Sequence, residues 1–368
     1  MVTHATNASA TEGGLWTPSG DDLARLQKIR GGALVTISLD TTPGQRLTVG
    51  ERKRLDQLLA EAHRRVAIEP GDEPMAPPPN AEQLFAWLER DHMGKGLVIF
   101  SGAGILEAYR LPTAPRDVVV VDPTFATREL ARALWQSPEI LLLVLAASEA
   151  RLFVTSLDVP GPVLGAGFPV LADRVADRTT RQRDDARGRN ASTTDRFFRQ
   201  VDQLLQPLAI DRPVVLFAAE PAASRFRAIS SVPFLGVVHG NRLTTAPVDL
   251  WQLTQPLRHE HLDIRRQEGL ARLQAAMASS TASTGVTETW TAAAAGQVDT
   301  LLVDPSFRWP GRTELGVALP EADPTAPGVI DDVVDDLIES VALSGGSVCF
   351  VSPGDLGRDG VAALLRWR

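Results

Sequence analysis

Apolar positions along this chain recur with two alternating periods, one suited to strands and one to helices. Residues 33–39 (ALVTISL) are rich in β-branched side chains and end at Asp40, Thr41, Thr42, Pro43 and Gly44, which predicts a strand and a turn. Residues 49–67 put Leu55, Leu58, Leu59, Ala62 and Val66 at helical spacing. Thr48 and Glu51 add the T-x-x-E pattern that caps a helix start. After the Pro-rich connection 69–80, residues 81–91 predict a second helix through Leu84, Phe85, Trp87 and Leu88. Strand-like runs follow at 96–100, 105–111 and 117–122, then a short helix at 127–135.

The pattern changes at Ser137-Pro138. Residues 140–147 are continuously apolar and 151–155 follow closely, which predicts two adjacent buried strands. Beyond a polar segment, a helix is expected from about Thr194, with Phe197, Val201, Leu204 and Leu208 on one face. A strand at 213–218, a helix at 220–229 and a strand at 234–239 come next, and then a long helix at 246–279 weakened only by Pro256. The last stretch alternates again: helix 286–295, strand 298–303, a loop through Pro310-Gly311, helix 329–343, strand 347–351 and the ending 361–367. In the helix at 329–343, Ile330, Val333, Val334, Leu337, Ile338 and Val341 make one stripe, opposite Asp331, Asp332, Asp335, Asp336 and Glu339. That acidic side reads as a solvated face.

The fold class is therefore α/β, as three α/β domains in tandem with mixed sheets. Their expected bounds are 21–136, 137–250 and 251–368, after a disordered arm at 1–20, and no repeat of fixed period is visible. The arm has neither a basic start nor an apolar core, so it is not a signal peptide, and no apolar window reaches membrane-spanning length. The only cysteine, Cys349, lies in the apolar run SVCFV and reads as a small hydrophobe in a buried strand. A single thiol fits a reducing compartment, and the expected location is cytoplasmic.

Enzyme and cofactor signatures fail one by one. The glycine-bearing turns at 101–104 and 161–167 do not follow G-x-G-x-x-G, and no phosphate-cradling G-x-x-x-x-G-K-[ST] or G-x-S-x-G elbow occurs. His259 and His261 are two apart on an expected helix and point in different directions, so no metal site is expected. No cofactor and no catalytic residue is assigned.

The net charge of −8 argues against bulk electrostatic binding to nucleic acid, so any such contact must be local. One segment offers it. Residues 173–199 carry eight arginines and five aspartates with no lysine. Arg presents a planar fork of donors that matches phosphate, and residues 178–195 hold almost no apolar side chain. The segment reads either as a solvated loop with compensating Asp partners or as a phosphate-binding arm. The loop is expected over 173–191, with Arg178, Arg181, Arg183, Arg187, Gly188, Arg189, Asn190 and, just beyond it, Arg196 as candidate RNA-binding residues.

An apolar strand pair (ILLLVLAASEARLFVTS), a long polar segment, RFFRQVDQLL and the strand PVVLFAA resemble the middle domain of archaeo-eukaryotic class I release factors and Pelota. The resemblance is greatest to the bacterial branch of that superfamily, which includes Balon-like ribosome hibernation factors. VTISLDTTPG, LEAYRLP, GQVDTLLVD, SGGSVCFVSPGDL and VAALLRW extend it over roughly 30–368. The resemblance implies a three-domain, release-factor-like architecture that enters the ribosomal A site and contacts rRNA or tRNA. It further implies a C-terminal domain that engages a partner such as a translational GTPase. In release factors the loop before the long helix carries Gly-Gly-Gln, followed by S-A-x-R-F. The corresponding stretch here runs from Arg187 to Phe197; Arg196-Phe197 matches the R-F pair and Gly188 is present, but Gly-Gly-Gln is not, and Gln182 lies outside the pattern. The expected function is thus ribosome binding in hibernation, arrest or rescue without ester hydrolysis. The alternatives are a peptidyl-tRNA hydrolase or tRNA nuclease with a diverged loop, and an interaction protein that has left the ribosome.

Overall fold

A computed structural model describes residues 15–68, 81–157, 159–172, 186–210, 212–314, 317–321 and 329–367. In the first segment, α1 (Gly20–Leu26) precedes β1 (Leu34–Asp40), α2 (Val49–Ile68), α3 (Ala81–Leu88), β2 (Gly96–Gly102), β3 (Ile105–Leu111), β4 (Val118–Asp122) and α4 (Arg128–Gln136). The strands form one sheet in the order β3-β2-β1-β4, and every pairing in it is antiparallel. The expected mixed sheet is therefore absent here, because each strand is joined to its neighbours without a parallel crossover. The Thr48–Glu51 cap forms as the sequence predicts: Glu51 Oε2 accepts from Thr48 N at 2.7 Å, and Glu51 N donates to Thr48 Oγ1 at 3.3 Å. Part of the N-terminal arm is structured. Trp16 N donates to Ala108 O and Arg110 N to Trp16 O, and the Ser19 side chain caps α1. The indole of Trp16 stands edge-on to Tyr109, which its neighbours in the arm give no reason to expect.

The middle segment contains β5 (Leu141–Leu145), β6 (Glu149–Ser156), β7 (Val159–Pro162), β8 (Val170–Leu171), α5 (Ala186–Leu205), β9 (Val214–Ala218), α6 (Ala222–Ile229), β10 (Phe234–His239) and α7 (Pro247–Leu253). Its sheet runs β10-β9-β5-β6-β7, with β8 also on β6. β10, β9 and β5 are parallel, and β6 and β7 return antiparallel, so this sheet is mixed. β5 and β9 are buried at every position, which explains their unbroken apolar sequence. Leu141, Leu143 and Leu145 face α5 and α6, while Leu142 and Val144 meet Leu250 and Trp251 of α7 on the other side.

α8 (Gln255–Ala278) leads into β11 (Ala282–Thr284), α9 (Val286–Ala294), β12 (Val298–Val303), β13 (Gly311–Glu314), β14 (Val317–Pro320), α10 (Val333–Leu343), β15 (Ser347–Phe350) and β16 (Val361–Leu365). The single helix expected over 246–279 is two. α7 stops at Thr254, whose hydroxyl donates to Trp251 O at 2.7 Å, and Pro256 sits in the first turn of α8, where its missing N–H costs nothing. The sheet order is β11-β16-β12-β15, with β12 and β15 parallel, and a separate hairpin pairs β13 with β14 where a loop was expected. Cys349 lies buried in β15.

By contacts the described residues form two compact units, those within 138–263 and those within 15–137 together with 264–367. Within the second unit the first and third segments share an interior. Ala131 and Trp135 of α4 pack on the core of the third segment, and Trp135 meets the Phe350 ring edge-on at 6.1 Å. The acidic side of α10 is not solvated. Asp331 Oδ2 lies 2.7 Å from Arg65 of α2, Asp332 Oδ2 lies 2.8 Å from Arg128 of α4, and Glu339 pairs with Arg30. The helix periodicity separates the two faces of α10 correctly, but the charged face meets arginines that lie far earlier in the chain.

Candidate nucleic-acid interface

The described arginines of the segment, Arg187, Arg189, Arg196 and Arg199, lie on α5, and α5 is placed by its aromatic face. Phe197, Phe198, Val201 and Leu205 are buried against the sheet. Phe198 meets Phe226 of α6 edge-on at 5.5 Å, a favoured geometry for two ring quadrupoles. Two polar ties fix α5 along α6. Arg225 Nε donates to Asp195 Oδ1 at 2.6 Å, and Ser230 Oγ donates to Asp202 Oδ1 at 2.6 Å. Asp202 is buried and accepts a second bond from Gln206 Nε2 at 2.7 Å, so its carboxylate is compensated. The turn before β8 closes on the same helix. Gly167 has φ +87°, and a Cβ there would fall 2.8 Å from Leu204, so only glycine fits both the backbone and the contact.

The candidate residues divide into three groups. Arg178, Arg181 and Arg183 lie outside the described residues. Arg187, Gly188, Arg189 and Asn190 belong to the first turns of α5, not to a loop ending at 191. The helix begins eight residues earlier than the apolar pattern predicts. Arg and Ala propagate a helix well, Gly188 costs only about 1 kcal/mol, and no proline intervenes once the aromatic face anchors the rest. Arg196 is exposed on α5, with Arg199 one turn further along and also exposed. Arg227 is exposed on the neighbouring α6. Sequence reasoning missed Arg225 and Arg227, since helix 220–229 is legible only by its apolar residues. The R-x-R spacing around the buried Phe226 was the available signal.

Among the described residues no group of three or more His, Cys, Asp or Glu side chains is arranged to hold a metal ion, and no helix is long and apolar enough to cross a membrane. The middle unit thus presents a helix whose inner face is apolar and aromatic and whose described outer face carries Arg196 and Arg199. Positive charge on the outer side of a helix next to a mixed sheet suits contact with phosphate.

The described residues form an α/β architecture of several sheets and helices. Residues 141–297 match the family described as Bacterial archaeo-eukaryotic release factor family 3. No curated protein matches the chain. Among solved structures it is similar to archaeal Pelota from a ribosome-bound assembly with ABCE1, at 15% identity over 95% of this chain and 94% of that one, with a TM-score of 0.43. It is also similar to Pelota of Archaeoglobus fulgidus, at 17% identity over 95% and 92% of the two chains with a TM-score of 0.36. Dom34 of S. cerevisiae, a termination-like factor that interacts with Hbs1, aligns at 10% identity over 95% and 92%, with a TM-score of 0.38.

Proposed function

We propose that this chain is a ribosome-associated translation factor that docks through the arginine-bearing start of α5 and does not hydrolyse the peptidyl-tRNA ester. The observation that carries the reading is the family match over residues 141–297, which encloses both the arginine segment and α5. Chemistry supports docking over cutting. The arginines supply bidentate phosphate donors, and the first turn of a long helix adds unpaired N–H groups and a positive dipole end. The stretch that aligns with Gly-Gly-Gln has Arg189 and Asn190 instead, so the backbone freedom and the amide reach that position a water on an ester are both missing. The third segment is the natural place for a protein partner such as a translational GTPase, and hibernation, arrest and rescue are the settings in which binding without cleavage is useful.

Co-sedimentation with ribosomes over a salt series tests this. Replacing Arg181, Arg183, Arg187 and Arg189 together by Ala removes up to four phosphate contacts and should weaken binding by about 100-fold at moderate salt, with a shallower salt slope. Unchanged co-sedimentation of the quadruple variant would refute the docking claim. Release of peptide from purified peptidyl-tRNA would refute its non-hydrolytic half.

A further inference from the structure

The charged contact between the first and third segments does not balance. From α10 and the residues just before it come Asp331, Asp332, Asp335, Asp336 and Glu339. From the first segment, Asp122 at the end of β4 and Glu129 of α4 add two further carboxyls to the same interior. Facing them are Arg30 before β1, Arg65 on α2, Arg128 and Arg132 on α4, and Arg308 between β12 and β13. Glu61 of α2 adds one more acid near Arg65, and it brings its own partner, Arg64. Carboxyls therefore outnumber guanidinium groups, and most of them are withdrawn from water. Arg128 is 1% exposed and is shared among Asp332, Asp335 and the carbonyl of Phe307, so its single charge is already divided between two acids. Thr124 Oγ1 donates to Asp336 at 3.1 Å, a neutral partner where a cation would be needed to balance an ionised one.

We propose that this joint is a proton-linked latch: the first and third segments close while the surplus carboxyls between them, those without a full share of an arginine, are uncharged, and rising pH loosens the contact by ionising them. The charge surplus and the burial set the direction. Burial, with Asp331 and Asp336 nearby, pushes the Asp122 carboxyl up to about 9. Burial, with Asp335 nearby, raises Asp336 to about 6, and burial raises Glu339 to about 7 despite Arg30. Asp332 moves in the same direction, again chiefly through burial. A carboxyl raised on folding contributes nothing below its unfolded value of about 4, and destabilises progressively as pH climbs to its folded value. The window is therefore from about pH 4 to pH 7 for Asp336 and Glu339, and on to about pH 9 for Asp122. Stability of the joint falls across this whole range.

Hydrogen–deuterium exchange of the full chain between about pH 5.5 and 8.5, corrected for intrinsic exchange, tests the latch. Peptides covering α4 and α10 should lose at least about tenfold in protection across that interval, since each step of one in pH changes the ionised-to-neutral ratio of a carboxyl about tenfold. Peptides covering β5 in the middle unit should change less. The paired substitutions Asp122→Asn and Glu339→Gln should flatten the profile while keeping the packing volume. Protection in α4 and α10 that is constant or rises with pH overturns the proposal, as does a slope above about pH 7 that survives both substitutions. An equal loss in β5 overturns it too, by showing a global effect. Should the double variant not fold, the wild-type profile and Asp336→Asn decide the matter alone.

Discussion

Arg128 shows how much a single side chain can decide in this protein. Its guanidinium is buried, donates to Phe307 O at 2.7 Å and lies 2.8 Å from Asp332. Removing Arg128 leaves Asp332 with Arg308 alone and takes the guanidinium away from Asp335, so Arg128→Ala should cost roughly 3–5 kcal/mol in chemical denaturation. Arg128→Lys should recover only part of that, because a point charge cannot serve Asp332, Asp335 and a carbonyl together. Nothing local to Arg128 in the sequence marks it. It follows Thr127 in a short helix that looks like any surface helix, and its acidic partners lie on or beside α10, in the third segment. By contrast, the Thr48–Glu51 cap is legible because both partners lie within one turn. The candidate site divides along the same line. Arg196 and its buried neighbour Phe197 stand out by pattern, whereas the Asp195–Arg225 tie depends on two helices meeting.

At the scale of elements, α5 is the piece on which the functional reading turns. Its buried aromatic face sets its position, and Phe198, fully buried against Phe226, is the central contact. Phe198→Ala should destabilise the middle unit by about 3–5 kcal/mol through lost burial and a cavity, and would show as a lower unfolding midpoint in denaturant. Asp195→Ala should cost far less in stability, within about 1 kcal/mol for a partly exposed pair. The extent of α5 is where pattern and structure differ most. Apolar periodicity begins at Phe197, so a pattern-based start at Thr194 is natural, but the helix continues back to Ala186 through residues with no apolar signal. Amphipathicity reports only the buried part of a helix. Propensity carries the rest, and the arginine-bearing turns lie on one continuous rod. The hairpin of β13 and β14 and the three-residue β11 are invisible to the pattern for a related reason, being short strands with few apolar positions.

For the whole molecule, the described residues form three larger sheets in sequence order, a two-stranded sheet within the third segment, and only two compact units, because the first and third segments complete each other. A fragment ending at residue 137 strands Ala131 and Trp135 in water and leaves Arg30, Arg65 and Arg128 without their partners on and beside α10. Such a fragment should lose protease resistance in α4 first, and adding residues 264–368 in trans should restore part of it. A fragment that resists proteolysis as the full chain does would show that the shared interior adds little. The sequence by itself determined which stretches are strands and helices wherever burial writes a period into the residues, and it determined the order of the buried strands and helices in the middle unit. Only the tertiary structure decided what the charged faces meet. Periodicity encodes that a face is polar, and the same Asp-rich stripe serves equally against water or against arginine. The choice depends on contacts between distant parts of the chain, and no local pattern of residues contains it.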